Sequence, residues 1–384
     1  MNVPKLRFKE FNDEWIETKI QNVATVIGGG TPSTDEPKYW GNEINWFTPS
    51  EIGKTKYVTI SNRKISQDGL KNSSAKLLPK GTILLSSRAT VGEASILLNE
   101  ASTNQGFQSL IVNENNCNEF IYYLKYKYKR EMLIKSFGST FLEISKSNVE
   151  NIKIKIPSKE EQFMIANFLS LLDKKIELQS KKIEDLKLFK KGLHDKLFNE
   201  VTGNVYLLSD IAIFGNGKGH ENIVDENGKY ILINSKFIST EGNVTKKCSE
   251  QLTPLFKNDI TMVMSDLPNG KALAKCYYID ENNKYSLNQR ICKIKIKDDS
   301  IINSKYLFYL LDRNPYYLRF DDGVNQTNLK KDDILSLNLV LPSIKDQERN
   351  SKTLTIIDNF IEKENNKLSK LNLLKKGLMQ SMFV

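Results

Sequence analysis

Histidine is nearly absent from this 384-residue chain, which has only His194 and His220, and its four cysteines (Cys117, Cys248, Cys276, Cys292) show no CxxC spacing. Those shortages exclude a His/Cys metal centre and a disulfide framework. Neither histidine has a partner at metal or triad spacing. No apolar run approaches the ~20 residues that span a bilayer, so no membrane partner is expected. The opening MNVPKLRFKEFNDEW is polar and charged, without the apolar core of a secretory signal. Reduced thiols and a cytoplasmic location are the expectation.

Catalytic signatures are equally scarce. Asn314-Pro315-Tyr316-Tyr317 lacks the second proline of an adenine methyltransferase turn and sits in a tyrosine-rich helical stretch. Phe214-Gly215-Asn216-Gly217-Lys218-Gly219 fits neither GxGxxG nor GxxxxGK[ST], and reads as a flexible loop close to phosphate. No catalytic residue, no metal site and no cofactor of its own is expected for this chain.

What is present is a globular composition, 39% hydrophobic and 9% aromatic, with a net charge of +10. That balance suits a protein that neutralises phosphates, and equally suits a lysine-rich composition with no nucleic-acid partner.

The informative feature is a repeat. LFKKGLHDKLF at 188–198 returns as LLKKGLMQSMF at 373–383, an offset of 185 (373 − 188). At the same offset Gly138, Lys146, Pro157-Ser158, Gln162, Asp173 and Ile176-Glu177 meet Gly323, Lys331, Pro342-Ser343, Gln347, Asp358 and Ile361-Glu362. Earlier segments match with a drifting offset, Tyr123-Leu124 with Tyr309-Leu310 for example, as insertions and deletions would produce.

After each proline the apolar residues step by three and four. Leu169, Leu172, Ile176, Ile183, Leu186, Leu193 and Leu197 form one seam, with Gln179 and Lys190 in its polar slots. Leu354, Ile357, Ile361, Leu368, Leu371, Leu378 and Met382 form the other, with Glu364 and Lys375 in the equivalent slots. Matching interruptions predict two facing helices with the polar seam residues opposite one another; two independent amphipathic helices are the alternative. Rods of roughly 55 Å follow from ~1.5 Å per residue.

Ahead of each helix, short β-type runs (TILLSS, ASILL, FQSLIV; later DITMVMS, LAKCYYI, ICKIKI) lie between Gly, Asn and Pro turns. The fold class is therefore α+β: two globular heads separated by two long α-helices that form an antiparallel coiled coil, with an internal pseudo-twofold repeat. The expected boundaries are 1–156 and 201–341 for the heads, 157–200 and 342–384 for the helical regions.

PKLRFKEFNDEWIETKI, GGGTPST, STNQGFQ, IKIPSKEEQFMIANFLSLLDKKIE and the doubled KKGL element resemble the specificity subunit of Type I restriction-modification systems over essentially the whole chain. The second head departs from the pattern: it lacks the aromatic opening and carries FGNGKG in place of GGGTP. The resemblance implies a non-enzymatic subunit whose two target-recognition domains each read one half of a gapped double-stranded DNA site. It also implies that the paired helices set the spacing and dock two adenine methyltransferase subunits, which bring S-adenosylmethionine, with restriction/translocase subunits joining the full complex. The recognition subunit of a fused Type II-like restriction-methylation enzyme would look nearly the same. A coiled-coil scaffold that binds protein only is the rival from another class.

Base contacts are expected from polar turns. The candidates are Ser86, Ser87, Arg88, Thr90, Asn104, Gln105 and Gln108 in the first head, and Ser265, Asp266, Asn269, Lys271, Asn288, Gln289 and Arg290 in the second. Arg pairs naturally with guanine, and Asn or Gln with adenine. Asn-Gln recurs in both heads, so stabilising a shared frame is the competing role. Lys54, Lys56, Arg63, Lys64, Lys246 and Lys247 are the candidate phosphate contacts, with solvated surface as the alternative. Between Lys125 and Arg130, lysines snorkelling among packed tyrosines would account for the basic run.

Overall fold

The computed structural model describes residues 3–138, 142–199, 201–268 and 270–384. The chain divides into two compact units, Met1–Lys181 with Asn366–Val384, and Lys182–Asn365. Each unit consists of one head, part of the helix that follows that head, and part of the other long helix.

In the first unit the central sheet is built from β1 (Ala24–Gly28), β2 (Tyr57–Val58), β3 (Ile83–Leu85), β4 (Ala94–Leu97) and β5 (Gln108–Val112), in the order β1-β5-β3-β4-β2. Helix α1 (Asn118–Ile134) follows, and α2 (Lys159–Asn199) begins beyond Pro157. A smaller sheet places Trp40–Phe47 between Arg63–Ile65 and Ser102–Thr103. Ile16–Lys19 pairs antiparallel with Lys153–Ile156, just before α2.

The second unit repeats this plan. Strands β6 (Ala212–Asn216), β7 (Ile260–Val263), β8 (Cys276–Tyr278) and β9 (Ile291–Ile296) take the order β6-β9-β7-β8, the order of β1-β5-β3-β4. Tyr230–Ile233 lies between Lys247–Cys248 and Tyr285–Leu287, antiparallel to one and parallel to the other, as in the first unit. Asn204–Leu207 pairs with Asn338–Leu341, α3 (Ser304–Leu311) stands where α1 stood, and α4 (Ile344–Ser381) begins beyond Pro342.

The largest core of the first unit packs Trp15, Phe120, Tyr128, Met132 and Leu169 with Met379, Met382 and Phe383. That of the second packs Met262, Cys292, Tyr306, Leu307 and Tyr317, with Phe198 against it. All four cysteines are buried and unpaired. Among the described residues no helix is long and apolar enough to cross a membrane, and no group of His, Cys, Asp and Glu could hold a metal ion.

Candidate nucleic-acid interface and its supporting clamps

Each long helix is fastened to its head by the same residues. Gln162 accepts a hydrogen bond from the Cys117 amide at 2.9 Å and donates to Asn116 Oδ1 and the Pro157 carbonyl. Gln347 accepts from the Asn303 amide at 2.9 Å and donates to the carbonyls of Ile301 and Pro342. The buried glutamine thus satisfies backbone groups that α1 or α3, and the strand leading to the long helix, would otherwise leave orphaned.

Farther along, the Tyr123 hydroxyl donates to Asp173 Oδ2 at 2.6 Å, and Tyr309 donates to Asp358 at 2.7 Å. Burial, aided by those carboxylates, raises both phenols above their ordinary range, so each stays a donor. The same carboxylates take the ammonium of the opposite long helix: Lys375 pairs with Asp173, and Lys190 with Asp358, each at 2.5 Å. The helices therefore run antiparallel within each unit.

The apolar seam residues of both helices are buried or half-buried, while Leu171, Leu178, Leu188 and Leu373 beside them are exposed. Lys190 and Lys375 reach aspartates flanking the partner seam, and the buried Glu364 takes Lys182 at 3.0 Å. A charge in a seam is stabilised by an opposite charge at its edge, which a second polar seam residue would not supply.

In the first head, Ser86 and Ser87 are fully buried. Ser86 Oγ donates to the Arg88 carbonyl at 2.9 Å, and the Ser87 amide donates to the Gly106 carbonyl at 2.8 Å. Both brace the turn and are covered by the rest of the head. Asn104 also shapes backbone, its Oδ1 accepting from the Gly106 amide, and Gln108 is half-buried on β5. Arg88 is half-exposed and paired with Glu143 at 2.8 Å, whereas Thr90 and Gln105 are exposed. Thr90 and Gln105 are the exposed candidates of this head, and Arg88, Asn104 and Gln108 are reached by solvent in part.

The second head sorts likewise. Ser265 is buried and accepts from Gln326 at 2.6 Å, and Asp266 accepts from the amides of Leu267, Ala272 and Leu273. A carboxylate saturated by its own loop has little capacity left for a cytosine amine. Asn269 lies outside the described residues. Asn288 is half-buried, whereas Lys271, Gln289 and Arg290 are exposed, with Gln289 donating to Glu221 and Arg290 at φ +66°.

The Asn-Gln turns explain the glycine loops. A Cβ on Gly29 would lie 2.0 Å from the Asn104 carbonyl oxygen, and one on Gly217 would lie 1.9 Å from that of Asn288. FGNGKG therefore fills the place of GGGTP, and it is fastened rather than loose: the Gly217 and Lys218 amides donate to the carbonyls of Ile291 and Leu287. Only a residue without a side chain permits that approach.

Among the phosphate candidates, Lys54, Arg63, Lys246 and Lys247 are exposed and Lys64 is half-buried. The Arg63 guanidinium stacks 3.6 Å over the Trp40 ring. Lys56 belongs elsewhere. It binds Glu119 at 3.0 Å and Ser170 at 2.6 Å at the junction of head and helix, so its charge is already spent. Asn314, the first residue of the Asn-Pro-Tyr-Tyr run, caps the helix Pro315–Leu318, and the buried Tyr317 donates to the Ile334 carbonyl.

The family described as "Type I restriction modification DNA specificity domain" matches the chain twice, over residues 12–188 and 201–373. The specificity subunit of the Type I restriction enzyme MjaIX of Methanocaldococcus jannaschii is 30% identical over a 401-residue alignment covering 94% of this chain and 90% of the relative. That of EcoR124I/EcoR124II from Escherichia coli is 27% identical over 197 residues, covering 47% of this chain and 48% of its own length. Among solved structures, the S subunit of a Type I restriction-modification system from M. genitalium superposes with a TM-score of 0.64 at 18% identity, covering 100% of this chain and 99% of the other. A chain from work on complex assembly and conformational transition of the type I R-M system gives 0.60 at 14% identity, with 96% and 97% covered. At such identities these two superpositions establish a shared fold.

Proposed function

This chain belongs to the Type I restriction-modification specificity-subunit family, and from that premise we propose that it reads an asymmetric, gapped double-stranded DNA site, one half-site per head. The observation that carries the reading is that the two heads share one frame yet differ in what they offer solvent. Arg88, Thr90 and Gln105 stand on the first, and Lys271, Gln289 and Arg290 on the second. Two identical readers would imply a palindrome, whereas two different ones imply unequal half-sites. Phosphate contacts from Lys54, Arg63, Lys64, Lys246 and Lys247 would supply affinity and its salt dependence.

The chain performs no chemistry itself in this reading. Two adenine methyltransferase subunits dock on the paired helices, bringing S-adenosylmethionine, and restriction subunits join them in the cytoplasm. Exposed apolar residues at repeat-related positions support two equivalent docking surfaces: Leu171 and Ile356, Leu188 and Leu373, Phe189 and Leu374. The deciding experiment maps N6-methyladenine in a host with and without this gene. Loss of one asymmetric gapped motif is expected. An unchanged map, together with no salt-dependent DNA binding by the complex reconstituted with its methyltransferase, would favour the protein-only scaffold.

A further inference from the structure

We infer that the two Tyr–Asp–Lys clamps, Tyr123–Asp173–Lys375 and Tyr309–Asp358–Lys190, are the positioning residues that fix the length of the gap between the half-sites. The inference rests on the gapped-site reading above. At Asp173 one carboxylate gathers three elements: α1 of the head through Tyr123, α2 through its own backbone, and α4 through Lys375. Asp358 gathers α3, α4 and α2 in the same way. A hydroxyl one turn earlier on the long helix joins each cluster, Ser170 beside Tyr123 at 3.3 Å and Thr355 beside Tyr309 at 3.1 Å.

The apolar part of the seam cannot do this work alone. Leucine and isoleucine contacts are non-directional, and a heptad seam retains much of its burial when it slips by one repeat. A polar residue placed in such a seam specifies register at some cost in stability. Lys190 and Lys375 are such residues, and each finds its aspartate at a single register. Because the head's tyrosine binds that same aspartate, helix register and head position are tied to one group. Along either helix the two tie points lie 17 residues apart (190 − 173 and 375 − 358). Between the heads, readout candidates diverge while the clamps are identical in residue type, as expected if reading varies and spacing is held.

The test uses the whole chain in cells that supply its partner subunits, with N6-methyladenine mapped by long-read sequencing. Asp173→Asn with Asp358→Asn keeps shape and hydrogen bonding but removes the charge that holds the lysines. It is expected to leave both half-sites unchanged while methylation spreads to gaps one base pair longer or shorter, reaching at least a tenth of the level at the wild-type gap. Lys190→Met with Lys375→Met, which keeps an apolar seam, should relax the gap in the same manner even if the asparagine variant folds poorly. Lys190→Arg with Lys375→Arg preserves the ion pairs and should stay strict. Methylation confined to the wild-type gap in the methionine variant, or lost uniformly at every gap, overturns the inference. If wild-type cells carry no gapped motif at all, it is the DNA-reading proposal that falls.

Discussion

Phe383 packs on Phe120 with ring centroids 5.4 Å apart, and Phe198, its equivalent in the repeat, packs on Tyr306 at 4.9 Å. The phenylalanine that closes each KKGL phrase is thus set against the head helix of its unit, α1 in one case and α3 in the other. Phe383 is 2% exposed and also meets Trp15 edge-on. Phe383→Ala should destabilise the first unit by about 3–5 kcal/mol, the usual cost of emptying a buried aromatic site. Phe198, only half-buried, should cost less. Denaturant unfolding of the two variants measures the difference, and equal effects would contradict this packing.

Gln162 and Gln347 are buried, and each bridges its head and its long helix through three hydrogen bonds. Leucine fills nearly the same volume but leaves the amide of Cys117 or Asn303 without its partner. Gln162→Leu or Gln347→Leu should each cost about 1–3 kcal/mol, the penalty of an unsatisfied buried donor. Glutamate at either position keeps the acceptor but can donate only while protonated, so it should cost less below its own titration than above it, where a buried carboxylate would face carbonyl oxygens. Hydrogen exchange at Cys117 and Asn303 reports the effect locally.

Much of this architecture is legible in the sequence because the repeat is gapless where the helices lie. Pro157/Pro342, Gln162/Gln347, Asp173/Asp358 and Lys190/Lys375 all align at a single offset. Which of them would meet was hidden, since an aspartate and a lysine 202 positions apart (375 − 173) are brought together only by antiparallel pairing. Tyr123 and Tyr309 were visible as a match, but their role depends on head helices whose offset drifts. The heads were legible as strand runs and illegible as readers. A serine in a turn looks the same in sequence whether it faces solvent or, like Ser86, is buried bracing a carbonyl. Gly29 and Gly217 could have signalled the Asn104 and Asn288 turns, had both loops been read as close approaches of backbone.

Lys125 makes a pH-dependent prediction. It lines a cavity of 1290 Å³ in the first unit, donates to the Ala94 carbonyl, and has its ammonium pushed down to about 8, chiefly by burial and further by Lys375 and Lys129. The unfolded chain holds this proton up to ~10.4, so folding is penalised wherever the unfolded lysine is charged. The penalty is complete below about pH 8 and vanishes above ~10.4. Lys125→Met should therefore stabilise the protein at pH 7, with the gain over wild type shrinking as pH rises through 8 to 10. A gain independent of pH would mean that packing, not charge, is responsible.

Arg290 is exposed beside the second Asn-Gln turn, and Arg88 is exposed in part beside its ion pair with Glu143. An arginine bidentate to guanine contributes about 1–3 kcal/mol of discrimination. Arg290→Ala should relax one position of one half-site and leave the other half-site and the gap untouched. Replacing residues 1–156 with another such head should change the opposite half-site only. The methylated motif reads out both. A change in both half-sites from Arg290→Ala would place this residue at the helices rather than at the DNA.

The seam makes the last prediction. Seven residues inserted after Gln179, with seven more after Glu364, keep each heptad in phase and lengthen each helix by ~10.5 Å. Neither insertion separates Asp173 from Tyr123, or Asp358 from Tyr309, because each tyrosine and its aspartate lie on the same side of the added heptad. The partners Lys375 and Lys190 also lie beyond the insertions, on the sides that keep them beside their aspartates. Both clamps should therefore survive, and the gap should grow by about three base pairs at ~3.4 Å each while the half-sites stay the same. A single insertion places the two seams seven residues out of step, so one clamp or the other must open, and methylation should fall at every gap. Unchanged spacing in the double insertion would show that the helices do not measure the site.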